Sequence, residues 1–393
     1  MTGPKMSWRL WPQIVNTLEE KYTIVDWYGV CDHDYDLNSV VSFWQNYNVK
    51  HFTDQERIVI VDADPSFYQI DSTINDNLYN LFSVFNYYNI PTNFLIFIVN
   101  YPADQQIEKL AQLFNLPMPK IVTCEHLENM VGPDVPNIPK INLEKIQKHF
   151  ICLNGHQRVH RVELLCLLED QDLLKHGIVT YNFNTVQTPK TFVNKGNIDI
   201  SLLGLNLRSC IPFSRMNERY AKNDRIISTY SEHYKKFVGV TKKSDLVDVD
   251  YLERERLIGS HEFKSSAFIQ KVAINLVSET VMHYPYPYIS EKSWMSILCQ
   301  RPFIIAGSAG SLAKLHSLGF KTFSDYWDEG YDTIADTSER LCEITDLIKK
   351  ITALPIAQVK ELVLDMQPIL EYNLKNYQEN FSKTGLQNLL NQL

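Results

Sequence analysis

The chain has 393 residues, 45% of them hydrophobic and 21% charged, a globular composition that excludes a mostly disordered protein. Thirty-eight basic against 46 acidic residues leave a net charge of −8, which excludes a polybasic nucleic-acid coat but leaves room for a local basic groove. No run of about 18 apolar residues offers a membrane span, and the opening MTGPKMSWRLWPQ lacks the apolar stretch of a signal peptide. The seven cysteines form no Cys-x-x-Cys pair and no Cys/His cluster at metal-ligand spacing. A reduced cytoplasmic protein, with no membrane insertion and no metal site, is expected.

The first third alternates strand and helix signals. Residues 22–28 (YTIVDWY) and 57–61 (RIVIV) are short apolar runs, and the second ends in Asp62-Ala63-Asp64-Pro65. Leu78, Leu81, Phe82 and Phe85 recur at helical spacing within 77–88. Residues 93–99 (NFLIFIV) form a continuous apolar run, the pattern of a strand buried on both faces of a parallel sheet. A helix over 105–114 and a strand over 120–123 follow, and this β–α–β rhythm predicts an open parallel α/β domain. The stretch 132–139 (GPDVPNIP) reads as a linker.

A second series begins with a strand at 150–153, a loop at 154–157, a helix over 158–168 and a strand at 177–181. Residues 185–230 mix Thr, Asn, Pro and Arg and read as long loops with short helices. A short strand within 241–250, a strand over 268–277, an amphipathic helix over 290–299 and a buried strand at 302–306 come next. That strand runs into Gly307-Ser308-Ala309-Gly310, followed by a helix over 311–317 and a short strand at 320–323. Residues 337–351 and 355–391 are amphipathic and polar-rich, so the chain is expected to end in helices. The expected fold class is α/β, with two Rossmann-like domains facing a cleft. Its division is 1–140, 141–350 and 351–393, the last as helices packing back across both.

The densest chemistry lies in 278–332. Ser290 is a good helix N-cap and Glu291 suits the positive helix end. Lys292 is unusual there, because a cation in the first turn opposes the dipole unless both face a shared anion. The Gly307–Gly310 turn after a strand and before a helix would expose backbone N–H groups in a phosphate-cradling arrangement.

The run Ser278-Glu279-Thr280, Ser290-Glu291-Lys292-Ser293-Trp294 and Arg301-Pro302-Phe303-Ile304-Ile305-Ala306-Gly307-Ser308 resembles the C-terminal half of GT-B glycosyltransferases. The likeness is to fucosyltransferase-like and exostosin-like enzymes. Leu318 to Phe323, Asp328 to Asp332 and Asn154 to Arg161 look like parts of the same module in phage and bacterial proteins of that type. The resemblance spans about 150–345 and leaves 1–131 to the α/β rhythm alone.

It implies a nucleotide-sugar donor, held without a metal or other cofactor. Glu291 would contact ribose or base, Lys292 the diphosphate, and Glu279 sugar or ribose hydroxyls, with Ser290, Gly307, Ser308 and Gly310 completing the donor site. Arg158, His160 and Arg161, at an early helix turn, would neutralise the departing diphosphate. In the N-terminal half, Asp32 or Asp34 is the expected general base for the acceptor hydroxyl, with Glu279 in reserve. His33, Arg208 and Arg215 are the expected acceptor contacts. The acceptor is either a glycan or lipid-linked saccharide, or hydroxymethylated phage DNA modified in the host cytoplasm. For DNA, Lys235, Lys236, Lys242 and Lys243 would join the basic groups. Asp62-Ala63-Asp64 matches the metal-binding Asp-x-Asp of the other glycosyltransferase fold, but that pattern recurs along the chain and carries little. A non-catalytic nucleotide- or glycan-binding module of the same fold is the rival from another class.

Overall fold

The computed structural model describes residues 22–26, 58–62, 82–99 apart from 84, 88 and 90, then 104–123, 141–154, 159–181, 246–247, 269–279, 282 and 287–393. Two compact units make up the chain: Met1–Asp134 with Glu379–Leu393, and Val135–Gln378.

The first unit holds a parallel sheet of β1 (Thr23–Asp26), β2 (Ile58–Asp62), β3 (Leu95–Val99) and β4 (Lys120–Thr123), in that order. β3 is the run expected to be buried on both faces, and Leu95, Ile96, Phe97 and Ile98 are all buried. Phe82 and Phe85, from the helical stretch before it, are fully buried, and the Phe82 ring stacks over Phe97 at 6.3 Å. Helix α1 (Asp104–Leu113) turns Ile107, Leu110 and Ala111 inward, the i, i+3, i+4 stripe of an amphipathic helix.

The second unit is a five-stranded parallel sheet. Its strands are β5 (Lys148–Asn154), β6 (Gly177–Tyr181), β7 (Leu246–Val247), β8 (Val272–Ser278) and β9 (Phe303–Ala306), in the order β7-β6-β5-β8-β9. The chain therefore moves outward from β5 to β7, then crosses back to lay β8 on the other side of β5. That reversal is the topological switch point of a doubly wound sheet, and such sheets take ligands at the carboxyl ends of the strands there. Every residue of β8 and β9 is buried, as expected for strands covered on both faces.

Helix α2 (Val159–Asp170) follows β5, α3 (Glu291–Leu298) follows β8, and the short α4 (Ser311–Ser317) follows β9. Then come α5 (Thr337–Thr352), α6 (Ile356–Asp365) and α7 (Gln367–Asn376). α5 packs on α2 and reaches β9, whereas α3 packs on α7, and α6 lies on β5 and β8. One sheet face is thus covered by α2 and α5 and the other by α3, α6 and α7, the arrangement that right-handed crossovers in both directions produce. After a π-helical turn at Tyr377–Phe381 the chain returns to the first unit as α8 (Ser382–Gln392), which lies against β4. The carbonyl of Leu393 there accepts hydrogen bonds from Tyr22 Oη and Lys120 Nζ.

Two local expectations are corrected. Residues 320–323 are not a strand: the Lys321 N–H and carbonyl pair with the Asn373 side-chain amide, and the Phe323 N–H donates to Glu329 Oε1 at 2.8 Å. Side chains have taken the backbone groups that a sheet edge would need. The C-terminal helix is also broken at Met366, where Pro368 falls in the first turn of α7 and supplies no N–H to continue α6. Cys152, Cys166 and Cys299 are buried free thiols, and burial lifts that of Cys152 to about 11.

Candidate functional site

The site is built at the carboxyl ends of β5, β8 and β9. Glu279 follows β8 directly and is wholly buried. Its N–H continues the ladder by donating to the Ala306 carbonyl at 3.0 Å. Its carboxylate Oε1 accepts from the Ser290 N–H at 3.1 Å and from Ser293 Oγ at 2.6 Å. Ser290, the expected N-cap, is in extended conformation, and its Oγ accepts from the Lys292 N–H at 3.3 Å. The first turn of α3 is therefore capped twice, by Ser290 from within and by Glu279 from the end of the neighbouring strand. Glu279, expected as a sugar contact or reserve base, acts in this structure as a clamp on α3.

Lys292 is half-buried and folds back so that Nζ donates to Ser290 Oγ at 3.3 Å, which holds its ammonium at the helix start. The backbone of Glu291 opens α3, but its side chain lies outside the described residues.

The basic start of α2 is described at His160 and Arg161, 3% and 2% exposed. His160 Nε2 donates to the Glu279 carbonyl at 2.9 Å, and Arg161 Nη2 donates to the same carbonyl at 3.0 Å and to that of Ser278 at 3.4 Å. Both side chains thus reach from the start of α2 to the end of β8, across the switch point. Both are buried against the end of β8.

The Gly307–Gly310 turn departs from its expected openness. Asp332 Oδ1 accepts from the Leu312 N–H at 3.0 Å and Oδ2 from the Ala313 N–H at 3.2 Å, while its carbonyl accepts from Gly310 N at 2.8 Å. An internal carboxylate thus occupies the start of α4, where a phosphate was expected, and of the named turn residues Gly310 is committed to this contact. Burial raises the Asp332 carboxyl above its usual range, opposed by those N–H donors and by Arg340. Gly310 takes a left-handed φ of 82°, where glycine is strongly favoured.

Arg340 of α5, which no local motif singles out, is 1% exposed. Its Nε donates to the Gly307 carbonyl at 2.9 Å, Nη2 to that of Met282 at 2.8 Å, and Nη1 to those of Ile334 and Ala335. It ties the segments that follow β8 and β9 to one helix. Burial lowers its guanidinium to about 10, so it stays charged at neutral pH. Asp332 lies in the Asp328–Asp332 segment picked out above, but nothing local marks it as the cap of a helix twenty residues earlier.

A methyl group on Gly307 would meet Ser311 Oγ at 3.0 Å and Glu279 Cγ and Ile305 Cγ2 at 3.1 Å. Gly307→Ala is therefore expected to cost about 1–3 kcal/mol through overpacking, read as a lower urea midpoint with an unchanged slope. An unchanged midpoint would mean that Glu279 yields freely.

Asp32, His33, Asp34, Arg158, Arg208 and Arg215, with Lys235, Lys236, Lys242 and Lys243, lie outside the described residues. Among the described residues no group of three or more His, Cys, Asp or Glu could hold a metal ion, and no helix is long and apolar enough to cross a membrane.

No family model matches the chain, and no curated protein matches it. Among solved structures, a UDP-forming α,α-trehalose-phosphate synthase from Burkholderia xenovorans aligns over 98% of this chain and 87% of that one, at 9% identity and a TM-score of 0.38.

Proposed function

We propose that the second unit binds a nucleotide-activated sugar and that the chain is a glycosyltransferase acting on an acceptor hydroxyl. The observation that carries the reading is the gathering of Glu279, Ser290 and Lys292 at the carboxyl end of β8, beside the β5/β8 reversal. These are residues of the segments whose sequence resembles the donor half of GT-B enzymes. Doubly wound sheets bind nucleotides at this place.

In this reading Lys292 meets the diphosphate, and its charge stabilises the leaving group as the glycosidic bond breaks. Diphosphate charge is balanced by side chains in place of a metal ion. Glu279 sets the first turn of α3 and so the position of Lys292. His160 and Arg161 hold the end of β8, and Arg161 adds positive charge near it. Glu291 is assigned to ribose or base, and Asp32 or Asp34 to proton removal from the acceptor, which is a glycan or lipid-linked saccharide hydroxyl.

The test is calorimetric titration with UDP-, GDP- and CMP-linked sugars in the presence of EDTA, followed by product analysis with saccharide acceptors and hydroxymethylated DNA. One donor class is expected to bind, and Lys292→Ala is expected to weaken it by roughly 10–150-fold, the equivalent of a charge-assisted hydrogen bond of about 1.5–3 kcal/mol. Absence of binding by every donor would overturn the reading. Binding without transfer to any acceptor would favour the non-catalytic module.

A further inference from the structure

Both helix starts at this edge of the sheet are closed by the chain's own carboxylates, Glu279 on α3 and Asp332 on α4. An anionic ligand there cannot use the N–H groups that those carboxylates hold, and needs side-chain donors beside Lys292. Ser278 and Ser308 qualify: each is 1% exposed, and neither hydroxyl has a hydrogen-bond partner among the described residues. A buried hydroxyl without a partner is costly, and native proteins seldom keep one without a reason.

Their placement is specific. Ser278 is the last residue of β8 and pairs with Ala306, the last of β9, and Ser308 lies two residues beyond. Asn275 bonds Ser296 on α3, and Glu279 bonds Ser293 on the same helix, so those two side chains lie on the α3 face. By strand alternation Ser278 points to the opposite face, where α2 and α5 pack. A buried guanidinium holds the backbone at each serine. Arg161 donates to the carbonyls of Ser278 and Glu279, and Arg340 donates to the carbonyl of Gly307, which precedes Ser308.

We propose that Ser278 and Ser308 form a two-hydroxyl subsite that donates to the phosphoryl oxygens of a nucleoside diphosphate, in place of the helix N–H groups that Glu279 and Asp332 have taken. The proposal rests on the nucleotide-sugar reading for the identity of the ligand. It predicts a trade of stability for binding, since the hydroxyls stay unpaired until the ligand arrives.

The experiment titrates the full chain and its Ser278→Ala and Ser308→Ala variants with UDP, GDP, CDP, the corresponding nucleosides and inorganic pyrophosphate, and measures the ligand-free melting temperature of each. Each variant is expected to melt about 2 °C or more higher than the parent. Each is expected to bind the preferred diphosphate about 5–20-fold more weakly, with no change in nucleoside affinity. Parental diphosphate affinity in both variants overturns the subsite while leaving the nucleotide reading intact. Lower melting temperatures overturn it too, since the hydroxyls would then be satisfied without ligand. If pyrophosphate binds through both serines and no nucleotide does, the subsite stands and the nucleotide reading falls. If neither binds to the parent, both fall.

Discussion

Arg340→Leu is expected to destabilise the second unit by about 3–5 kcal/mol, measured by urea unfolding of parent and variant. The guanidinium serves the carbonyls of Gly307, Met282, Ile334 and Ala335 from a position 1% exposed. Each buried carbonyl stripped of its donor costs about 1–3 kcal/mol, less whatever rehydration the opened loops allow. Leucine fills part of the volume, so the loss isolates the polar contacts from cavity formation. Arg340→Lys keeps the charge but replaces a planar fork with a single ammonium, and is expected to recover less than half of the loss. A loss below about 1 kcal/mol in the leucine variant, less than one stripped carbonyl, would show that the loops after β8 and β9 hold without this anchor.

The second large effect is pH-dependent. Glu163 lies on α2 where α5 packs, beside Ser338 and Asp336 at the start of α5. Burial raises its carboxyl from an ordinary 4.5 to about 7, with the Asp336 charge adding to the rise and a hydrogen bond with Ser338 opposing it. The sign follows from proton counting. Between these values the folded chain holds a proton that the unfolded chain has released, so stability falls as pH rises from about 4.5 to about 7, then levels off. The ceiling of the loss is on the order of 3 kcal/mol, since each tenfold change in proton affinity is worth about 1.4 kcal/mol. Glu163→Gln removes the titrating group. The variant is expected to match the parent below about pH 4 and to exceed it by about 3 kcal/mol at pH 8. A parallel pH–stability profile for parent and variant would place the titration elsewhere.

The two effects meet in one interface. α2 carries His160 and Arg161, which hold the end of β8, and α5 carries Arg340, which holds the segments after β8 and β9. The α2–α5 contact therefore supports the candidate site from beneath. Lys292 and Ser290 belong to α3 on the other sheet face, and Glu279, at the end of β8, touches both layers, by its carbonyl and its carboxylate respectively.

Much of the local structure was legible in the residues. The apolar runs 93–99, 268–277 and 302–306 predicted buried strands because a parallel strand covered on both faces carries no polar alternation. β3, β8 and β9 lie within those runs or overrun them by a single residue. Ser290 was readable as an N-cap because its hydroxyl acts within its own helix turn. The parallel α/β class followed from strands and helices alternating along the chain. What only the tertiary structure decided is how strands distant in sequence are ordered and what their ends then touch. Laying β8 beside β5 brings Glu279 to His160 and Arg161 across 119 and 118 residues, and buries against the end of β8 two side chains that the sequence presents only as an early helix turn. The Gly307–Gly310 turn keeps its strand-to-helix form, but Asp332, some twenty residues further along the chain, fills the anion position. Periodicity and capping act over a few residues and leave their mark in local sequence. Which carboxylate caps which helix depends on the crossover that places them side by side, and residue order does not encode that separately from the fold.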